Sequence, residues 1–320
     1  MCSKRILASI FGLVVVGCGG GGGDSAASAG GGGPTAGPGG AGGSGGVGGP
    51  GGAGGSAGGG PTCPYPEPAH KGETATMGVV TAKLLDQNGK SVEGVPGTIC
   101  GINLCSEVHY SDAAGILTID ATDAGMDFDE PRFNRGFFGR EHTKISAFIP
   151  TKPSHDFGTV RVFALPSFAE GVPLVAGADV TQAGVTLSIP AGGVVDIDTI
   201  KFTEVSEQVF RAAVVDLTAF PPAELPGLDA ALGLEVALAL APMDTHLCPA
   251  AGLRFDNVRG WAAGAEVEIF LHGTKVFDHY APYGEWSKVA DATVSADGKT
   301  VATVAGQGIE LLGTLGAALK

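Results

Sequence analysis

From residue 74 onward the chain runs in short apolar–polar alternations broken by turn residues, the pattern of strands rather than helices. Residues 76–85 read as a strand, stopped by Asp86-Gln87-Asn88-Gly89 with its Asn-Gly turn signal. Further strands are expected at 92–100, 105–110 and 116–120, the last two joined by Ser111-Asp112-Ala113-Ala114-Gly115. Residues 144–149 and 158–165 resume the alternation. At 185–189, Val185, Leu187 and Ile189 fall on one face, with Thr186 and Ser188 on the other. A long strand is expected over 194–205, with Asp196 and Asp198 facing solvent, and another over 208–217. The run 234–241 carries two signals. Its Ala and Leu favour helix, yet Leu234, Val236, Leu238 and Leu240 share one face of a strand, and a strand is the expectation. In 266–272, Val267, Ile269 and Leu271 alternate with Glu266, Glu268 and His272. The pattern predicts an all-β chain.

One stretch breaks the rhythm. Residues 121–143 are acidic first (Asp123, Asp127, Asp129, Glu130), then basic and aromatic (Arg132, Phe133, Arg135, Phe137, Phe138, Arg140). The expectation is a long loop folded over one end of the strands around it with its Phe side chains buried. The functional alternative is a ligand loop, in which Phe and Arg give contact area and the carboxylates a cation site. The carboxylate spacing does not follow the calcium-loop pattern.

The first 60 residues change the picture. In 19–60 more than half the positions are Gly, and Val47 is the one apolar side chain larger than Ala. Such a run cannot offset its ordering entropy and is expected to be a disordered Gly-rich tether, with an r.m.s. reach of about 35–40 Å. Collagen is excluded because Gly does not recur at every third position. Ahead of the run, Lys4 and Arg5 precede an apolar stretch over 6–16, well short of the roughly 20 residues a bilayer needs, as in a signal peptide. The net charge of −14 repels phosphate backbones, so no nucleic-acid partner is expected.

The apolar stretch ends Val15-Val16-Gly17-Cys18, which resembles the lipobox of bacterial lipoproteins. That resemblance implies cleavage before Cys18, lipidation (diacylglycerol and palmitate) of Cys18, and attachment to a membrane. Gly19 and Gly20 follow, with no Asp directly after Cys18, which by the same resemblance implies sorting to the cell outer membrane, facing periplasm or cell surface. Cys2 leaves with the leader. Cys63, Cys100, Cys105 and Cys248 remain, an even number in an oxidising compartment, with three possible pairings. The favoured disulfides are Cys100 with Cys105, flanking Gly101-Ile102-Asn103-Leu104, and Cys63 with Cys248. A four-Cys zinc site is the alternative, but paired CxxC spacing is absent.

Gly78-Val79-Val80, Asp86 with Gly89-Lys90, Val92-Glu93-Gly94-Val95, and Asp112-Ala113-Ala114-Gly115-Ile116-Leu117-Thr118-Ile119 together resemble a carboxypeptidase regulatory-like (transthyretin-like) domain. The resemblance implies an antiparallel sandwich without catalytic residues. Ile189-Pro190-Ala191-Gly192, the strand at 266–271, Trp286 and Val294-Ser295-Ala296-Asp297-Gly298 are similar to β-modules of teneurin-like bacterial surface proteins, which implies a structural or interaction role.

The search for chemistry returns little. No G-x-S-x-G, H-E-x-x-H or phosphate-loop motif occurs. His70-Lys71-Gly72-Glu73 matches an H-x-x-E zinc pair but stands in the linker and reads as chance. His142, His155, His246, His272 and His279 lack helical ligand spacing and are expected at the surface. No metal, cofactor or catalytic residue is expected. Trp261, Tyr280, Tyr283 and Trp286 are expected to cluster, either as a ligand platform for a carbohydrate or protein partner or as a core plug. The sequence thus points to a non-catalytic, membrane-anchored lipoprotein with a structural, adhesive or partner-binding role at the cell envelope, its partner an envelope or extracellular protein or glycan. A carbohydrate-binding accessory module and an unrecognised hydrolase are the alternatives. The expected divisions are signal peptide 1–17, lipidated Cys18 and tether 18–72, and, as the two resemblances imply, two consecutive antiparallel β-sandwich modules, 73–182 and 183–320.

Overall fold

Strands form where the alternation is cleanest, and they gather into two groups. A computed structural model describes residues 73–122, 127–137, 139–150, 152–274 and 280–320. The leader, Cys18, the Gly-rich run and Cys63 lie outside the described residues, as do Asp123, Phe138 and His279. Among the described residues the regular structure is β, with only short 3₁₀ turns between strands.

The first group is β1 (Thr74–Ala75), β2 (Val79–Leu85), β3 (Pro96–Cys100), β4 (His109–Tyr110), β5 (Ile116–Asp120), β6 (Phe128–Asp129), β7 (Arg132–Arg135), β8 (Ile145–Phe148) and β9 (His155–Arg161). Strands β5-β2-β9 make one sheet, β4-β3-β7-β8 a second, and β1-β6 a short ribbon. The pairing of β2 with β9 is parallel, a departure from the expected antiparallel order. Val80, Leu84, Ile99, Leu117, Ile119, Phe133 and Val160 form the shared core.

Strand β7 corrects the reading of 121–143 as a loop. It lies between β3 and β8, inside the four-stranded sheet. Phe133 enters the core, and Arg135 on the same face reaches the Arg161 carbonyl (3.0 Å) and the Pro226 carbonyl (2.8 Å). On the other face Asn134 donates to the Tyr283 hydroxyl (2.7 Å), a residue from the far end of the chain. Both faces of β7 are covered, so its polar residues are buried. Their alternation with Phe mimics a loop only when tertiary cover is ignored.

The second group comprises β10 (Val172–Pro173), β11 (Asp179–Gln182), β12 (Val185–Ser188), β13 (Val194–Asp196), β14 (Val209–Asp216), β15 (Val236–Ala241), β16 (His246–Asp256), β17 (Glu266–His272), β18 (Trp286–Val294), β19 (Thr300–Thr303), β20 (Ile309–Leu311) and β21 (Thr314–Leu319). They form a twelve-stranded sheet in the order β10-β14-β15-β21-β17-β18-β19-β16-β12-β11, with β13 and β20 also on β16. The sheet curls nearly closed: Gln182 at the end of β11 accepts from the Ala212 amide in β14 (2.7 Å). Its interior holds Val185, Leu187, Phe210, Leu238, Leu253, Val267, Ile269, Val294 and Leu315. Residues 182 and 183 lie within the β11–β12 hairpin, and the large sheet begins earlier, at Val172. The expected strand over 194–205 stops at Asp196. Asp198 accepts from the Ile200 amide (3.2 Å), and that side-chain bond turns the chain away from the ladder.

Strand β15 resolves the two signals of 234–241. Val236, Leu238 and Leu240 enter the interior of the large sheet. Ala237 packs with Ile145 and Phe163 of the first group, and Ala239 and Ala241 with Leu165. The Leu–Ala alternation is that of a strand buried on both faces, with the small residue where another layer comes close.

The Cys100–Cys105 disulfide is present as expected. Cys248 is disulfide-bonded too, and Cys63, its expected partner, lies outside the described residues. The short bridge closes the turn between β3 and the segment leading to β4. Replacing both Cys100 and Cys105 by Ala is expected to lower stability by about 2 kcal/mol on a chain-entropy argument. Urea unfolding of the oxidised protein measures this, and an unchanged midpoint would show that the bridge closes a loop already fixed by its neighbours.

Candidate functional site

The small sheets meet the outside of the large sheet along the edge of β8. That edge is covered by side chains, not by another strand. The His272 Nε2 accepts from the Ser146 amide (2.9 Å), and the Thr314 hydroxyl donates to the Lys144 carbonyl (2.6 Å). Nearby, the Ser146 hydroxyl donates to Asn134, Asn134 donates to Tyr283, and the Tyr283 hydroxyl donates to the Cys100 carbonyl (3.3 Å). Burial pushes the Tyr283 phenol up from its ordinary value and pushes Arg135 down to about 9. Gly227 has φ = 91°, and a Cβ there would stand 2.5 Å from the Ser146 carbonyl oxygen, so the segment after β14 sits flush on β8 only because this position is Gly.

His272 corrects the expectation of surface histidines, being 1% exposed at the end of β17. The alternation of 266–272 was legible, and Glu266 and Glu268 do face Lys320 and Lys288, but the end of the strand meets the first group, so His272 goes inward. Desolvation first, and then the neighbouring Arg135 and Lys144 charges, hold its pKa down to about 3. With Nε2 an acceptor, the Nδ1 proton faces the Glu285 carbonyl (3.1 Å).

Beside this contact a groove of about 730 Å³ opens between the two groups. One wall is the end of β8 with Phe148 and the start of β9 with Asp156 and Phe157. The other is the 222–232 segment with Asp229, and the approach to β18 with Glu285 and Trp286. Each ring is braced from behind. Trp286 donates from Nε1 to the Gly227 carbonyl (2.7 Å) and lies 4.6 Å from the His272 ring. Phe157 stacks on Phe133 at 4.9 Å, with His155 edge-on at 4.4 Å. Phe148, 47% exposed, has the Arg132 guanidinium 5.2 Å and the Lys152 ammonium 5.7 Å from its ring centre. Asp156 accepts from the Gly158 amide (2.9 Å), which, with the Thr81 hydroxyl, holds its carboxyl below the usual range. Asp229 caps the 3₁₀ turn at Ala230–Leu232 by accepting from the Ala231 amide (2.9 Å).

The four aromatics named from the sequence do not form one exposed platform. Trp261 is 7% exposed, packs in the interior of the large sheet and donates to Glu235 (3.3 Å). Tyr280 packs against the same interior, 6.0 Å from His246. Tyr283 is 5% exposed beneath the groove, and Trp286 alone lines it. Their sequence neighbourhood does not become a spatial one because β17 carries the chain from the Trp261 end of the sheet to the His272 end, where Trp286 pairs beside β8. The groove residues Phe148, Phe157, Asp156 and Asp229 were missed. The available signals were a Phe closing an otherwise buried strand at 148 and the Pro-rich breaks around 222 and 226, yet only the fold shows that these segments face each other.

Among the described residues no group of three or more His, Cys, Asp or Glu side chains is arranged to hold a metal ion. Compared with known proteins, the chain matches no protein-family model and no curated protein by sequence, so the groove's chemistry and the leader carry the functional reading.

Proposed function

We propose that the chain is a non-catalytic lipoprotein, anchored through Cys18 to the cell outer membrane, whose all-β body binds a partner at the envelope in the groove between its two strand groups. The Gly-rich run serves as the tether between lipid and body, and the strands at 79–120 serve as a carboxypeptidase regulatory-like scaffold. The observation that carries the binding role is the groove itself: its volume lies within the roughly 300–1,000 Å³ common for ligand sites, and its aromatic walls are braced. The binding role is preferred to hydrolysis because three titratable groups in and beside the groove already serve the backbone. Asp156 and Asp229 hold turns, and His272 is buried with both ring nitrogens turned to main-chain partners.

The anchor is tested by Cys18→Ala. The variant is expected in the soluble fraction, with wild type in the membrane fraction. Continued sedimentation of the variant with membranes would end the lipid-anchor reading.

A further inference from the structure

We propose that the groove binds a neutral polysaccharide, stacking sugar rings on Phe148, Phe157 and Trp286 and taking hydroxyl hydrogen bonds on Asp156, Asp229 and Glu285. This deepens the proposed function and rests on the groove being its binding site. A pyranose ring presents an apolar face of C–H groups and a rim of hydroxyls. It is matched by flat aromatic carbon alternating with strong acceptors, and the groove supplies both.

Three observations separate this ligand class from others. The groove carboxylates and the net charge of −14 repel polyanions. A cationic ligand meets like charge at Phe148, the most exposed ring, because Arg132 and Lys152 already sit 5.2 and 5.7 Å from its centre. A wholly apolar partner would take three carboxylates out of water, a cost that hydroxyl donors reduce. The bracing of Trp286 by Gly227 and of Phe157 by Phe133 means that little side-chain ordering is required on binding.

The test is affinity electrophoresis of the full-length protein in detergent, through gels containing laminarin, hydroxyethyl cellulose, galactomannan or xyloglucan, with alginate and poly-lysine gels as charged comparisons. Retardation by at least one neutral polysaccharide is expected. Phe148→Ala and Asp229→Asn should each weaken it, Phe148→Ala by tenfold or more. Both should fold normally, since Phe148 is half-exposed and Asn can also cap the Ala231 amide. Ile200→Ser, at a 90% exposed site outside the groove, should change nothing. Failure of every neutral polysaccharide to retard the protein would overturn the proposal. So would retardation that Phe148→Ala and Asp229→Asn leave intact. Binding of poly-lysine that these variants abolish would overturn the ligand class while leaving the groove as the binding site. Binding of neutral polysaccharide indifferent to the variants would remove the groove itself.

Discussion

Lowering the pH from 7 toward 4 is expected to weaken the union of the two strand groups, and His272 is the reason. Its ordinary pKa of about 6.5 applies in the unfolded chain, while the folded protein holds it at about 3. Between those values the unfolded chain takes a proton that the folded one refuses. Stability from this group is therefore complete above about pH 6.5 and falls by about 1.4 kcal/mol for each unit of acidification toward the folded value. Protonation would also remove the Nε2 acceptor that covers the Ser146 amide on the β8 edge. His142, whose pKa is likewise lowered by burial, adds to the slope with the same sign. Urea midpoints measured from pH 8 to 4.5 should decline for wild type. They should decline less for His272→Gln, whose amide can accept from Ser146 and donate to Glu285 without titrating. Parallel curves for the two proteins would show that His272 is not the group responsible.

The second large effect is expected at Tyr283. Its hydroxyl accepts from Asn134 and donates to the Cys100 carbonyl, joining β7, β3 and the approach to β18 in one buried chain of hydrogen bonds. Tyr283→Phe leaves buried polar groups short of a partner and should cost about 1–3 kcal/mol. Tyr283→Ala also deletes a ring that is 5% exposed, and about 3–5 kcal/mol is expected. Measured at pH 7.5, away from the histidine range, the two variants should rank in that order. Tyr283→Phe combined with Asn134→Ala should show a coupling of about 0.5–3 kcal/mol. A Phe variant within about 0.5 kcal/mol of wild type, in the range of an ordinary surface change, would mean the hydroxyl is dispensable.

The all-β class was legible because local alternation and turn chemistry agree over most of the chain. The hairpin ending in Asp112-Ala113-Ala114-Gly115 is one case: Asp112 accepts from the Ala114 and Ile116 amides, as the turn residues suggested. The Cys100–Cys105 bridge, favoured among three possible pairings, is present. What failed to show was everything that depends on a second layer. Arg132–Arg135 looked like loop because a strand with both faces covered loses its polar side, and His272 looked exposed for the same reason. The groove was invisible because its walls come from residues near 148–157, 222–232 and 284–286, brought together by long-range packing. Trp286, which lines the groove, was named from the sequence only as a member of an aromatic cluster that the fold disperses.

Strand β15 has one further consequence. Its leucines serve one interior and its alanines another, so neither half of the body owns it outright. A gene trimmed anywhere between the halves would yield a fragment with a sticky flank: bare alanines and Leu225 on one side, or uncovered Ile145 and Phe163 on the other. Inheritance, shuffling and laboratory dissection of this protein must therefore treat residues 73–320 as indivisible.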